Sequence, residues 1–342
     1  FVGMSGGVDS SVAGFILKNQ GYDVVGVHLR CWNRDGCDEH EARDARLVAN
    51  KLDIPFYVLD MEKEYKKQVV DYMIDSYRLG ITPNPDVMCN KKIKFGVFLD
   101  KALSMSADYI ATGHYAKVVK EADRYHIYQA EDKDKDQSYF LWTLDQKQLQ
   151  HAIFPLGELK KSEVRDIANK ANLHVADKKD SQGICFIGKV SLQEFLSEYL
   201  EKEKGKVLNS AGEVVGEHDG AHLYTIGQRH GLGVALQEPH YVATKDIKTN
   251  TVVLAKEKED LLKRTQIELV DVNIDHSLEE ALDILTRVRY RQDLIEAKLE
   301  KVGGTYQLTF KKPVRFVAPG QSAVFYTKEG KLLGGGVIKS ST

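Results

Sequence analysis

Two features of this chain have residue types and spacing suited to chemistry: a run of small and hydroxylic residues at its start, and a pair of cysteines in short segments. Gly3-Met4-Ser5-Gly6-Gly7-Val8-Asp9-Ser10-Ser11 follows the stub of a strand and opens an apolar helix. Backbone amides and helix polarity converge on an anion at such a junction. Small residues let the main chain approach phosphate oxygens, and Ser5, Ser10 and Ser11 carry hydroxyl donors. The usual ATPase loop ends in Gly-Lys-Ser/Thr; here Asp9 is present and no lysine. That disfavours γ-phosphate transfer. A carboxylate in the cradle suits Mg²⁺ on a leaving pyrophosphate, because Mg²⁺ is held by one or two carboxylates with phosphate oxygens and water. The expected chemistry is cleavage of ATP between its α- and β-phosphates, with Mg²⁺ accompanying ATP and Asp9 as its candidate protein ligand. A Gly/Ser turn without a ligand is the bland alternative.

Thr82-Pro83-Asn84-Pro85-Asp86-Val87-Met88-Cys89-Asn90 reads as a rigid loop, since each proline fixes its own φ and biases its predecessor away from helix. It presents Asp86 and Cys89 together. Asp180-Ser181-Gln182-Gly183-Ile184-Cys185-Phe186-Ile187-Gly188 is a second short loop. A thiolate attacks well only when its pKa is lowered or a base is near, whereas an isolated thiol is as readily a small buried hydrophobe. Spacing alone does not bring these two thiols together. Cys31 and Cys37, near His28 and His40, are separated by five residues, wider than usual zinc pairs, and lack a second pair. No metal site is assigned to them.

The chain has 342 residues, 42% apolar and 29% charged with seven prolines. That excludes a collagenous, low-complexity or largely disordered chain and predicts more than one domain. Forty-eight basic against 50 acidic residues give no global field for nucleic acid, so any polyanion site must be local. The apolar runs are too short to span a bilayer, and no membrane partner is expected. Four scattered cysteines fit a reducing compartment, so cytoplasm is the expected location. The chain opens on Phe1 without a methionine, so a targeting segment ahead of it would be invisible.

Up to about residue 115, short apolar runs alternate with helical stretches: strands at the start, at Val24–Val27, Pro55–Leu59 and Asp108–Ala111, and helices at Ser11–Asn19, Glu39–Leu52, Glu62–Arg78 and Phe95–Ser104. Gly21 and Gly80 are the expected stops. This is the pattern of an α/β fold with a doubly wound parallel sheet. A helix at Ser191–Lys202 precedes Gly-punctuated hairpin signals, and five or more short strands from Ile284 to Ile338 predict a C-terminal β-barrel. The predicted domains are 1–203, 204–264, small and β-rich, and 265–342.

Ser5-Gly6-Gly7-Val8-Asp9-Ser10 resembles the pyrophosphate-loop signature of the ATP pyrophosphatase superfamily. Asn84-Pro85-Asp86-x-x-Cys89-Asn90, Gly183-x-Cys185-Phe186 and Tyr224 to Gly233 carry the likeness further. Over essentially its whole length the chain resembles the bacterial tRNA-specific 2-thiouridylases. The resemblance implies an ATP-dependent sulfurtransferase that adenylates a tRNA wobble uridine and replaces its C2 oxygen with persulfide sulfur, releasing AMP and pyrophosphate. Cys89 would be the nucleophile, Cys185 the persulfide carrier and Asp86 the acid/base partner, with a Cys89–Cys185 disulfide closing the cycle. ATP would lie on Gly3, Met4, Ser5, Gly6, Gly7, Val8, Asp9 and Ser10, with Leu29 on the adenine and Gly113, in Ala111-Thr112-Gly113-His114-Tyr115, against the nucleotide. The implied partners are tRNAs for Lys, Glu and Gln, and a cysteine desulfurase or sulfur-relay protein.

For the RNA, the resemblance implies contacts from Asn84, Pro85 and Asp86 to the target base, from Lys135, Asp136 and Gln137, and from Arg289, Tyr290 and Arg291. Gln137 is the expected reader, since one amide supplies both the donor and the acceptor that uracil requires, and Tyr139 and Phe140 are suited to stacking. The competing reading is a cap whose aromatics face the core. Arg287, Arg289 and Arg291 would share one face of a strand, where a solvated face is the rival reading. His114 alone reads as a structural hydrogen-bonder. Two other functions stay open: an amide-forming synthetase using the same loop, and a non-catalytic ATP-gated RNA-binding protein.

Overall fold

The computed structural model describes residues 1–31, 37–179, 191–234, 236–274 and 281–341, with backbone alone at 37, 340 and 341. The chain forms two compact units, one of residues 1–70, 85–189 and 329–332, the other of 71–84, 190–328 and 333–342.

The first unit opens with β1 (Val2–Gly3), α1 (Val8–Asn19), β2 (Gly26–Arg30), α2 (Cys37–Leu52) and β3 (Phe56–Asp60). Helix α3 (Glu62–Tyr65) runs into a π-helical turn at Lys66–Val70. After α4 (Asp71–Arg78), which belongs to the second unit, come α5 (Pro85–Cys89), a π-helical stretch over Asn90–Phe98, α6 (Leu99–Ser104) and β4 (Ile110–Ala111). A hairpin of β5 (Ala116–Glu121) and β6 (Arg124–Gln129) follows, then α7 (Gln146–Leu149), β7 (Ala152–Ile153) and α8 (Lys161–Lys170). The five-stranded sheet has the order β3-β2-β1-β4-β7 and is parallel throughout. The order reverses between β1 and β4, and the crevice beyond their carboxyl ends is where such sheets bind ligands. Helix α1 buries Val8, Val12, Ala13 and Leu17 against Val2, Val48 and Leu52, and α8 adds Val164 and Ala168 to the same core. Val8, Val12 and Leu17, four and five residues apart, with Ala13 beside Val12, form one apolar stripe that packs the helix on the sheet. Gly21 and Gly80 both take left-handed φ, +86° and +74°, as helix-terminating glycines do.

Several expectations need correction. Pro85–Cys89 is helical rather than a loop: proline is tolerated at the first helical position, where its missing N–H leaves nothing unpaired. The predicted helices at 62–78 and 95–104 are interrupted or preceded by π turns. The predicted helix at 191–202 shrinks to α9 (Leu192–Leu196), started by the Ser191/Glu194 capping box. Beyond the buried Leu200, Glu201-Lys202-Glu203-Lys204 is exposed and has no apolar stripe to hold a helix on the core.

The second unit carries a four-stranded sheet ordered β10-β11-β8-β9, from β8 (Gly205–Leu208), β9 (Val214–His218), β10 (His240–Asp246) and β11 (Thr251–Lys256). Six further strands, β12 (Lys263–Ile274), β13 (Leu282–Arg287), β14 (Ile295–Val302), β15 (Thr305–Arg315), β16 (Ser322–Tyr326) and β17 (Leu332–Ser341), close an antiparallel barrel in the order β12-β15-β14-β13-β16-β17. Closure leaves no unpaired edge. Its interior is filled by Ile267, Leu269, Leu299, Leu308, Phe310, Phe325 and Ile338. The Gln321 Nε2 donates to the carbonyls of Thr82 and Pro83 at 3.1 and 2.8 Å, and the Thr82 amide donates to Pro319 O at 3.1 Å. These bonds fasten the segment after α4 to the barrel. Among the described residues no helix is long and apolar enough to cross a membrane.

Phe325 is fully buried in the barrel core. Phe325→Ala is expected to cost about 3–5 kcal/mol, read as lost hydrogen-exchange protection of the barrel amides; unchanged protection would show that closure does not depend on this packing.

Candidate active site at the carboxyl edge of the parallel sheet

The loop between β1 and α1 is held by its own serines. The Ser5 amide donates to Ser10 Oγ at 3.1 Å, and the Ser10 and Ser11 hydroxyls donate to the Gly7 carbonyl at 3.2 and 2.8 Å. Ser10 and Ser11 are buried, Ser5 is exposed. Of the three hydroxyls expected to meet phosphate, two therefore donate within the turn, and the exposed Ser5 Oγ also accepts from the Gly7 amide at 3.4 Å and lies 3.2 Å from Ser10 Oγ. Met4 and Val8 point into the core, so what they offer a ligand is main chain. Gly6 has φ +74°, and a Cβ there would run into the Glu41 carbonyl oxygen; no other residue fits that position. A Cβ on Gly113, just past β4, would lie 2.7 Å from the Ser10 nitrogen and 2.8 Å from the Asp9 carbonyl carbon. The end of β4 thus touches the first turn of α1, on both sides of the sheet's switch point.

Charged groups from later in the chain converge on this loop. Lys161, at the start of α8, donates to both Asp9 carboxylate oxygens at 2.7 and 2.8 Å, and the Tyr115 hydroxyl donates to the same carboxylate at 2.8 Å. Lys178 donates to the Gly6 carbonyl at 3.0 Å and to Asp44 at 2.7 Å. Burial alone would raise the Asp44 carboxyl, but hydrogen bonds and charge from Lys178 and His174 outweigh it and hold the group below the usual carboxylate range. Glu41 goes the other way: burial raises it, with Lys178 and His28 opposing. Arg165, one turn after Lys161, donates to the carbonyls of Ala176 and Lys178 at 2.6 and 3.2 Å, so α8 also holds the segment that carries Lys178. Asp9 is the carboxylate at the loop, and among the described residues no three His, Cys, Asp or Glu side chains gather to hold a metal. A Mg²⁺ here would rest on Asp9 and on oxygens brought by a nucleotide, a donor set of the right chemistry.

Helix α5 places Asp86 and Cys89 three residues apart, on one face. Burial raises the Asp86 carboxyl above the ordinary carboxylate value, and Lys94 opposes that rise. Lys94 lies in the π-helical stretch that continues α5, a geometry that recurs at functional sites. Asn90 is buried, its Nδ2 donating to the Phe140 carbonyl at 3.2 Å, and its Oδ1 has no partner among the described residues. The same stretch packs Phe95 against His114 at 6.0 Å between ring centroids, and Phe98 lies beside Gly3. Burial, then the Lys94 charge, lowers the His114 imidazole well below its usual value. His114 bonds Thr112 Oγ1 at 2.7 Å and packs between Phe95 and Phe154, the structural role its sequence context suggested. A packed path thus runs from the Cys89 helix through Phe95 and His114 to Gly113 and the loop.

Other expected residues are placed differently. Leu29 is half-buried near the end of β2. Asp136 is buried, accepting from Gln129 Nε2 at 3.0 Å, the Ala130 amide at 3.2 Å and both the amide and hydroxyl of Ser138. All its acceptor capacity goes into shaping the turn, so it has none to spare for RNA. The Gln137 side-chain oxygen accepts from the Tyr115 amide at 3.0 Å, which leaves its NH₂ as the offered group rather than both a donor and an acceptor. Tyr139 is fully buried, edge-on to Phe140 at 5.3 Å, as the cap reading had it and not as a stacking platform; Lys135 is half-exposed beside this turn.

In the second unit, β13 ends at Arg287, and Arg289, Tyr290 and Arg291 follow in a turn, with Arg291 at φ +64°. The three arginines do not share a strand face: Arg287 is buried over the Tyr326 ring, Arg289 lies over Phe316 and donates to the Ile226 carbonyl, and Arg291 lies over Tyr290. The Gln292 side chain accepts from the Val288 amide and closes the turn that ends the strand. Asn84 is buried in this unit, and Pro85 starts α5 in the other. Cys185 lies outside the described residues. Lys161, Lys178 and Lys94 escaped sequence reasoning. Tyr115 stood within a quoted motif, but nothing local pairs it with Asp9.

Family models described as the tRNA methyl transferase HUP domain, the tRNA methyl transferase PRC-barrel domain and the aminomethyltransferase beta-barrel domain match residues 1–189, 193–256 and 259–338. A protein of Listeria monocytogenes named tRNA-specific 2-thiouridylase MnmA is 46% identical over 349 residues, covering 98% of this chain and 93% of its own. Proteins of the same name from Enterococcus faecalis and Streptococcus thermophilus are 46% and 44% identical, each covering 98% of this chain and 94% of its own.

Two outcomes follow from the geometry. Gly113→Ala forces a methyl into the first turn of α1 and is expected to weaken ATP binding at least about tenfold, measured by calorimetry; unaltered affinity would detach Gly113 from the site. Because the folded Asp86 carboxyl holds its proton to higher pH than the unfolded one, its contribution is fully present below the ordinary carboxylate pKa and is lost as pH rises through the raised value. Asp86→Asn should remove that loss, so its urea midpoint relative to the parent chain rises between pH 4 and pH 7. A relative midpoint that falls over that range would contradict the assignment.

Proposed function

Because the chain belongs to the tRNA-specific 2-thiouridylase family, we propose that it uses ATP to convert the wobble uridine of tRNA to 2-thiouridine. The C2 carbonyl oxygen attacks the α-phosphorus and pyrophosphate leaves, because a carbonyl oxygen is a poor leaving group until it becomes part of AMP. The terminal sulfur of a Cys185 persulfide adds to C2, and AMP departs with the original oxygen. Cys89 thiolate then attacks the inner sulfur, leaving the thiocarbonyl on the base and a Cys89–Cys185 disulfide, which a thiol reductant reopens with two electrons. Mg²⁺ on the ATP neutralises charge on the departing pyrophosphate.

The observation that carries this reading is the pairing on α5: Cys89 one helical turn from a carboxyl whose ionisation burial suppresses, on a helix packed through Phe95 and His114 onto the residue next to Gly113. Asp86, its carboxyl raised by burial, can hold a proton for the uracil oxygen or accept one from a thiol. The loop amides of Gly6 and Val8, the exposed Ser5 hydroxyl and Gly113 suit the nucleotide, and Leu29 the adenine. Asn84, Pro85 and Asp86 suit the target base; Lys135 and Gln137, whose amide donates, suit a flanking contact; Arg289, Tyr290 and Arg291 suit the tRNA backbone. The domain limits that go with this reading are 1–203, 204–264 and 265–342. The tRNAs are those for Lys, Glu and Gln, the sulfur comes from a cysteine desulfurase or a relay protein, and the cytoplasm supplies both tRNA and reduced thiols.

The test is incubation with unmodified tRNA, ATP, Mg²⁺, a desulfurase and cysteine, with thiolated nucleosides read by mass spectrometry. Cys89→Ser and Cys185→Ser are each expected to abolish the thiolated product while pyrophosphate release on adding tRNA persists. Thiolation at the normal rate by Cys185→Ser refutes the sulfur-carrying role. Full activity after alkylating both thiols favours an amide-forming enzyme, and tRNA binding without pyrophosphate release favours a non-catalytic binder.

A further inference from the structure

A loop that holds pyrophosphate must offset more negative charge than the N-terminus of one helix supplies, which is equivalent to about half a positive charge. ATPase loops add a lysine at their end, and this loop has none. Two lysines approach it from elsewhere, in different ways. Lys178 is divided between the Gly6 carbonyl and Asp44, so it holds the backbone in place. Lys161 makes two short contacts to Asp9, on the first turn of α1, with its side chain only 12% exposed and its ammonium over the Tyr115 ring at 5.8 Å.

Asp9 has support besides Lys161. It lies in the first helical turn, where the helix dipole favours a carboxylate, and it accepts from the Tyr115 hydroxyl. A hard divalent cation prefers carboxylate and phosphate oxygens, and a lysine on its flexible four-carbon stem can turn from one oxyanion to another. We propose that Lys161 is the phosphate-binding cation of this site, stored on Asp9, and that the two exchange partners when metal-bound pyrophosphate arrives, Asp9 turning to the metal and Lys161 to a phosphate oxygen. This rests on reading the loop as an ATP site. In the resting chain the two charges cancel, which keeps a buried cation satisfied until the anion that needs it is present.

Calorimetric titration of the full chain with inorganic pyrophosphate, in Mg²⁺ and in EDTA, separates the possibilities without reference to turnover. The parent chain is expected to bind at least about tenfold more tightly with Mg²⁺ than with EDTA. Asp9→Asn releases Lys161, so its affinity in EDTA should rise severalfold and the gain from Mg²⁺ should collapse. Lys161→Met should lose about tenfold or more in Mg²⁺, and Lys161→Arg should recover most of it; Lys161→Gln replaces Lys161→Met if circular dichroism shows the latter unfolded. Weaker binding by Asp9→Asn in EDTA, or parental affinity in a folded Lys161→Met or Lys161→Gln chain, overturns the exchange. Failure of the parent chain to bind pyrophosphate in either condition removes the ATP-site reading itself.

Discussion

The first turn of α1 lies against the end of β4 with no side chain between them, and the rest of the site follows from that approach. Strands β1 and β4 are neighbours at the point where the sheet reverses its order, so their carboxyl ends open a crevice that the topology itself provides. Gly113 lets β4 come within contact of Asp9 and Ser10, and the left-handed Gly6 lets the loop turn beside α2. Ser10 and Ser11 then spend their hydroxyls on the Gly7 carbonyl, which makes the loop rigid before any ligand binds, so little ordering cost remains at binding.

Local signals in the chain reported local structure well. The glycine and serine run, the alternation of short strands with helices and the crowded strands of the C-terminal third each depend on neighbours a few residues apart, and each led to the element found there. Where the reading went wrong, a short-range rule met a stronger constraint. Two prolines argued for a loop at 82–90, yet one of them sits where a helix accepts proline. Alternation argued for a strand through Arg291, but the Gln292 side chain closes a turn on the Val288 amide, and the arginines that would have lined one face scatter onto separate rings. The two aromatics after Gln137 suggested a platform for a base, but Tyr139 has the bulk to fill the core and does so.

The groups that escaped the sequence are those whose partners lie far along the chain. Lys161 meets Asp9 across 152 residues and Lys178 meets Gly6 across 172, and in the sequence both are ordinary lysines among many. Only the fold shows that α8 presents Lys161 from its first turn and, through Arg165, holds the carbonyls of 176 and 178. Lys94 escaped for a different reason: its position relative to Asp86 depends on a π-helical stretch, and an ordinary helical repeat would turn it to another face.

Lys94 also bears on why Asp86 suits the chemistry proposed for it. A carboxyl buried with no cation nearby holds its proton too firmly to act as a base, and one in full contact with a cation gives it up too readily to act as an acid. Burial is the larger influence on Asp86 and Lys94 the smaller, so the group lies on the protonated side of the usual range without being locked there. The same lysine adds to the burial that keeps His114 uncharged, so the imidazole between Phe95 and Phe154 stays a packing surface and does not compete with Asp86 for protons. One cation placed by a π turn thereby opposes the effect of burial on Asp86 and adds to it on His114.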